Sequence, residues 1–294
     1  MSGSAIQLTE QDGIGLLTFD QPQSKVNVLS TAFWNELAGA ITPLEKKSLK
    51  GLVLRSAKPG IFIAGADLKE LADASPGDPM PTRRFLEHGQ AVLNHLEALP
   101  FPTVALIEGA TLGGGLEVAL ACDYRVCRMD SSVKIGFPEV KLGLIPGWGG
   151  TQRLPRLMDM EEAINRLLSG ESYDSSDPPP EDLVDATTEG DDALTLAKQL
   201  MSVGDWHDVR QMKANPVPGE YFPSKEFAAE MGETIDVLDD IMKPAAFELL
   251  KVVLQGALLP LQEGIKLETE AFLRLAGTPE SKSLIERFFA RKKI

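Results

Sequence analysis

Glu117 and Glu139 each belong to a glycine-rich stretch. The first is Leu112-Gly113-Gly114-Gly115-Leu116-Glu117. The second is Phe137-Pro138-Glu139, followed by Gly143-Leu144-Ile145-Pro146-Gly147-Trp148-Gly149-Gly150-Thr151. A third turn, Ile63-Ala64-Gly65-Ala66-Asp67, lies upstream. Carboxylates move protons, and glycine turns let backbone N–H donors approach a ligand closely. Two acids and exposed amides from separate loops suit proton transfer beside a carbonyl whose oxygen is stabilised as an anion. Each piece alone has an ordinary explanation. A glycine run before an apolar stretch makes a tight strand-to-helix turn, and a glutamate at a helix start offsets the helix dipole. The ordered recurrence of three such turns is what favours chemistry.

These turns need a scaffold. Ile14–Phe19 and residues 52–54 are short apolar runs of strand type. Between them Ser30 is placed to cap a helix carrying Phe33, Leu37 and Ile41 at four-residue spacing. Residues 104–107 read as a buried strand leading to the 113–115 turn, which puts Glu117 in the first turn of a helix with Val118 and Leu120. Val126 is expected to end another short strand. Strands alternating with helices indicate an α/β domain. Residues 171–192 break the pattern, with nine acidic residues, no basic ones and Pro178-Pro179-Pro180. They are expected to form a mobile acidic surface loop. From Ser224 onward the chain turns helical and amphipathic, with Leu261, Ile265, Phe272 and Leu275 on one face. The expected organisation is a catalytic domain over residues 1–200 and a helical region over 201–294.

Composition narrows the function classes. The 294 residues are 43% apolar and 24% charged, ordinary for a globular protein. A net charge of −14 disfavours nucleic acid and anionic membrane surfaces as partners. Cys122 and Cys127 suggest buried free thiols in a reducing compartment, not a disulfide framework. His88 and His95 would share a helix face, and with only His207 besides, no metal set is indicated. The most apolar stretch, 104–126, carries Glu108, Glu117 and Asp123, which argues against a membrane span. No signal peptide is apparent, so a cytoplasmic location is expected. No Gly-x-Gly-x-x-Gly follows a strand, so dinucleotide binding is not indicated.

The chain resembles the crotonase family, the enoyl-CoA hydratases and isomerases. The resemblance rests on Phe62-Ile63-Ala64-Gly65-Ala66-Asp67-Leu68, on 112–117, and on 138–147 through Gln152-Arg153-Leu154-Pro155. The stretch Gln21-Pro22-Gln23-Ser24-Lys25-Val26-Asn27 and the tail 270–282 are similar to the hydratase module of multifunctional β-oxidation enzymes, the fatty-acid oxidation complex alpha subunits. The resemblance implies a spiral of ββα units with a C-terminal helical region. It implies hydration of 2-enoyl-CoA thioesters, with 3-enoyl isomerisation as a second activity. Ala66 and Gly114 would supply the two amides of the anion hole. Glu117 and Glu139 would share one water, with Glu117 as base and Glu139 as acid the favoured assignment and the reverse left open. The Gly147 amide would position that water, and Ala64, Gly65, Asp67 and Leu68 would contact the CoA portion. No cofactor is implied, because CoA belongs to the substrate. A homo-oligomer, trimer or hexamer, is expected, as is a place in a fatty-acid oxidation complex. The dehydrogenase half that follows in the multifunctional enzymes is expected to be lacking, leaving apolar surface near Phe272 and Phe288-Phe289. Isomerisation alone, thioester hydrolysis, RNA binding and a non-catalytic subunit role are the alternatives. One departure stands out: where the family carries Ala-x-x-Gly-Leu-Val-Asp, only Leu183-Val184-Asp185 remains.

Overall fold

A computed structural model describes residues 3–72 and 74–291. The strands are β1 (Ile6–Gln11), β2 (Ile14–Phe19), β3 (Gly51–Ser56), β4 (Gly60–Ile63), β5 (Thr103–Ile107), β6 (Gly109–Leu112), β7 (Tyr124–Arg128), β8 (Ile135–Gly136), β9 (Ser172–Tyr173) and β10 (Ala186–Thr188). The helices are α1 (Thr31–Ile41), α2 (Leu68–Ala72), α3 (Met80–Glu97), α4 (Gly114–Ala121), α5 (Gly150–Leu157), α6 (Met160–Ser169), α7 (Ala193–Val203), α8 (Trp206–Ala214), α9 (Lys225–Asp236), α10 (Lys243–Ala257), α11 (Leu261–Leu275) and α12 (Pro279–Arg291). Two compact units result, neither continuous in sequence. The first takes residues up to 66, then 88–136 and 173–211; the second takes 67–87, 137–172 and 212 onward.

The first unit is built on two sheets. The larger has the order β1-β2-β3-β5-β7-β10. Its β1–β2 hairpin is antiparallel and the remaining pairs are parallel. Asp12 and Gly13 both have positive φ, the conformation a two-residue hairpin turn demands. The central β5 is buried throughout, as expected for a parallel strand covered on both faces. On one side Val53, Val104, Leu106 and Val126 pack with Ala197 and Met201 of α7. Elsewhere in this unit Phe19 meets Phe33 of α1 at 5.3 Å and Phe62 at 5.7 Å between ring centroids. The Ser30 side chain accepts the Phe33 N–H, capping α1 as the sequence suggests. The smaller sheet has the order β4-β6-β8-β9, with β4–β6 and β6–β8 parallel.

The second unit is helical. Leu261, Ile265, Phe272 and Leu275 all fall on the buried face of α11. Gln152 of α5 fills the notch left by Gly256 of α10 and Gly264 of α11; a Cβ on either glycine would overlap its side-chain amide. Phe272 is buried, so it contributes no exposed patch, while Phe288 and Phe289 are half-buried with their rings 5.8 Å apart.

Two expectations need correction. Val126 does not end its strand, because β7 continues to Arg128. The stretch 171–192 is not one surface loop. Its second half forms β10, which pairs in parallel with β7. The Arg125 side chain donates to the Leu183 carbonyl at 2.7 Å and pairs with Asp185 at 2.8 Å, while Leu183 and Val184 are buried. The retained Leu183-Val184-Asp185 are thus the residues that dock this segment. Among the described residues no helix is long and apolar enough to cross a membrane, and no group of three His, Cys, Asp or Glu is placed to hold a metal.

Candidate active site

In the first unit, two of the singled-out turns meet. The 63–66 turn is tied down through Asn27, which is fully buried. Its side-chain amide donates to the Phe62 carbonyl at 3.0 Å and to Ser56 Oγ at 2.9 Å. Its own carbonyl accepts the Ala64 N–H at 2.9 Å, and the Leu29 N–H donates to the Gly65 carbonyl at 2.9 Å. Gly65 has φ +97°, and a Cβ there would lie 3.3 Å from the Leu112 carbonyl. A Cβ on Gly115 would overlap the Ile63 carbonyl. Glycine at both positions lets the turns press together backbone to backbone.

The 112–117 turn runs directly into α4. Gly113 adopts φ 53°, ψ −124°, and its N–H donates to the Gly136 carbonyl at 2.9 Å. Gly114 is the first residue of α4, so its amide has no intrahelical acceptor. The turn and loop backbone hydrogen bonds around residue 66 engage the amides of Ala64 and Leu29 but not that of Ala66, among the described residues. Glu117 lies in the first turn of α4 and is 1% exposed. This places its carboxyl group at the positive end of the helix.

The second unit holds Asp67, Leu68, Glu139 and Gly147. The Asp67 carboxylate accepts the Lys69 N–H at 3.0 Å and its carbonyl accepts that of Glu70, so Asp67 starts α2 at Leu68. Glu139 sits half-buried in a short 3₁₀ turn over Pro138–Leu142, which Gly143 ends in the left-handed conformation. Gly147 is buried; a Cβ there would lie 2.7 Å from Leu86 Cδ2 and 3.1 Å from Phe272 Cδ2. The segment after it is gripped by charge. Glu268 accepts the Gly149 N–H at 2.6 Å, the Thr151 N–H at 3.0 Å and the Thr151 hydroxyl at 2.6 Å. Arg153 donates to the Trp148 carbonyl at 2.7 Å. Arg156 donates to the carbonyls of Gln152, Gly256 and Leu259. Burial, with Arg153 nearby, pushes the Arg156 guanidinium down to about 10, so it stays charged at neutral pH.

Ala64, Gly65, Ala66, Gly114 and Glu117 therefore share one unit, and their two turns are in contact. Asn27 and Glu268 escaped sequence reasoning as anchors. A signal existed for Glu268: with Ile265, Phe272 and Leu275 it falls at helical spacing on an otherwise apolar face. Cys122 and Cys127 are buried free thiols, and burial pushes the Cys127 thiol up to about 12, which leaves it unreactive.

The family described as enoyl-CoA hydratase/isomerase matches residues 9–216. The fatty acid oxidation complex subunit alpha of Aliivibrio fischeri is 37% identical over 98% of this chain. That of Vibrio cholerae is 35% identical over 98%. The chain spans 42% of the length of both relatives. Among solved structures, an enoyl-CoA hydratase from Rhodobacter sphaeroides superposes with a TM-score of 0.73 at 20% identity, covering 99% of this chain and 90% of that one. One from Bacillus halodurans gives 0.69 at 23% identity, covering 97% of this chain and 100% of that one. At these identities the structures speak for the fold alone.

Proposed function

Since this chain belongs to the enoyl-CoA hydratase/isomerase family, we propose that it adds water across the 2,3 double bond of 2-enoyl-CoA thioesters, as a hydratase module in fatty-acid oxidation. The observation that carries this reading is the pair of abutting glycine turns in the first unit, with Glu117 beginning the helix that one of them enters. As water attacks carbon 3, charge moves onto the thioester oxygen. The amides of Ala66 and Gly114 receive that charge. Fixed donors of this kind are worth about 3 kcal/mol each at the transition state. Glu117 takes the proton of the attacking water and Glu139 delivers a proton to carbon 2. The Gly147 amide orients the water, and the backbone of Ala64, Gly65, Asp67 and Leu68 contacts the CoA portion. The relatives named for fatty acid oxidation support the pathway, and the retention of both glutamates supports hydration over isomerisation alone.

The test is a spectrophotometric assay of the purified chain with crotonyl-CoA and longer 2-enoyl-CoAs. Hydration removes the conjugated thioester absorbance and leaves the thioester intact. Loss of absorbance without release of free CoA thiol is the expected result. Absorbance that persists at every chain length, or release of CoA thiol, would overturn the reading.

A further inference from the structure

The Glu268 carboxylate is 0% exposed, and both of its oxygens accept hydrogen bonds from one short stretch of chain. One oxygen accepts the Gly149 N–H at 2.6 Å; the other accepts the Thr151 N–H at 3.0 Å and the Thr151 hydroxyl at 2.6 Å. These donors bracket the start of α5 at Gly150, where amides lack intrahelical acceptors and the helix end is positive. Hydrogen bonds to an ionised acceptor are roughly twice as strong as neutral ones. The Arg153 guanidinium also holds the Trp148 carbonyl at 2.7 Å. Gly149 has φ +97°, so its geometry is one that few other residues would keep. Gly147 stands two residues before the first clamped amide, with Leu86 and Phe272 packed on its α-carbon.

We propose that Glu268 is a positioning residue: its buried carboxylate clamps the Gly149 and Thr151 amides and thereby fixes the direction of the Gly147 N–H. The step that this amide serves rests on the hydratase reading above. A carboxylate suits the position because three donors converge on it, and two of them, the Gly149 and Thr151 amides, cannot accept an N–H, one facing each oxygen. A carboxamide of the same shape must turn its NH₂ toward one of these donors. The turn would then shift by a fraction of an ångström, which is enough to misdirect a water.

Glu268→Gln tests this, with Leu167→Ala as a control that removes buried apolar volume from α6, outside the 147–151 segment and outside α11. Both are assayed well below their melting temperatures. Glu268→Gln is expected to lower kcat about 10- to 100-fold with KM changed less than about threefold, while Leu167→Ala melts earlier and keeps its kcat. Should Glu268→Gln fail to fold, Thr151→Val removes one donor of the clamp and should lower kcat in the same way, with Thr151→Ser restoring it. Wild-type kcat in Glu268→Gln or Thr151→Val, or an equal kcat loss in Leu167→Ala, would overturn the proposal. Hydrogen exchange without substrate separates it from the hydratase reading. Faster exchange confined to the 147–151 amides in Glu268→Gln supports the clamp even if the wild type hydrates nothing; exchange at the wild-type rate overturns it.

Discussion

The turn that leads into Glu117 and the turn that follows Glu139 are held by different physics. In the first unit the partners are mainly backbone groups, joined by the uncharged Asn27 side chain on the Phe62 carbonyl. Gly113 donates to Gly136, Leu29 to Gly65 and Ala64 to Asn27, and the glycines of each turn abut carbonyls of the other. In the second unit the partners are buried charges: Glu268 on amides, Arg153 and Arg156 on carbonyls. The reason is the secondary structure around each turn. Strand ends leave donors and acceptors that a neighbouring loop can use, whereas the middle of a helix has already satisfied its own backbone. A loop among α5, α6, α10 and α11 therefore takes its partners from side chains. The first turn should be sensitive to any added Cβ or lost amide, and the second to any lost charge.

Three measurements press on this contrast. The largest effect is expected at the carboxylates. Glu117→Gln and Glu139→Gln should each slow hydration by about 10²- to 10⁴-fold, and the double variant should fall far short of the product of the two. Near wild-type turnover in either single variant would remove that glutamate from the reaction, and a multiplicative double would show that they serve separate steps. Next comes Gly114→Pro, the backbone counterpart of Glu268→Gln. Proline is tolerated at the first position of a helix, so α4 should persist while the amide is lost. Turnover should drop by about 10²- to 10³-fold with the circular dichroism spectrum unchanged; a folded variant with normal turnover would exclude this donor.

The smallest effect concerns pH. Burial raises the Cys127 thiol from 9.0 to about 12 and the Tyr124 phenol from 10.0 to about 12, both on β7. The unfolded chain gives up these protons first, so it binds fewer protons than the folded chain above pH ~9. Their contribution is thus complete below that pH and declines as pH rises toward about 12. The melting temperature should fall across this window, and Cys127→Ala should make the fall shallower. An equal slope in the variant would mean that other groups carry the alkaline loss.

Much of the first unit was legible in the sequence because its signals are local. Short apolar runs marked β2 and β5, Ser30 marked the cap of α1, and the 113–115 glycines marked the entry to α4 with Glu117 in its first turn. The acidic segment was misjudged because composition describes solvent preference and says nothing about a distant partner. Arg125 is sixty residues away from Asp185 along the chain, and only the fold reveals that it waits there.

By itself the sequence determined the α/β class of the first unit, the amphipathic helices of the second, and the residue types able to move protons and bind an oxyanion. Those follow from side-chain periodicity and turn chemistry, which act within a few residues. Tertiary structure alone decided that the 63–66 and 112–117 turns touch, that Asn27 anchors one of them, and that a glutamate on an apolar helix face grips the start of α5. Each depends on groups far apart in the chain, and a buried polar atom finds its partner only when the fold has closed around it.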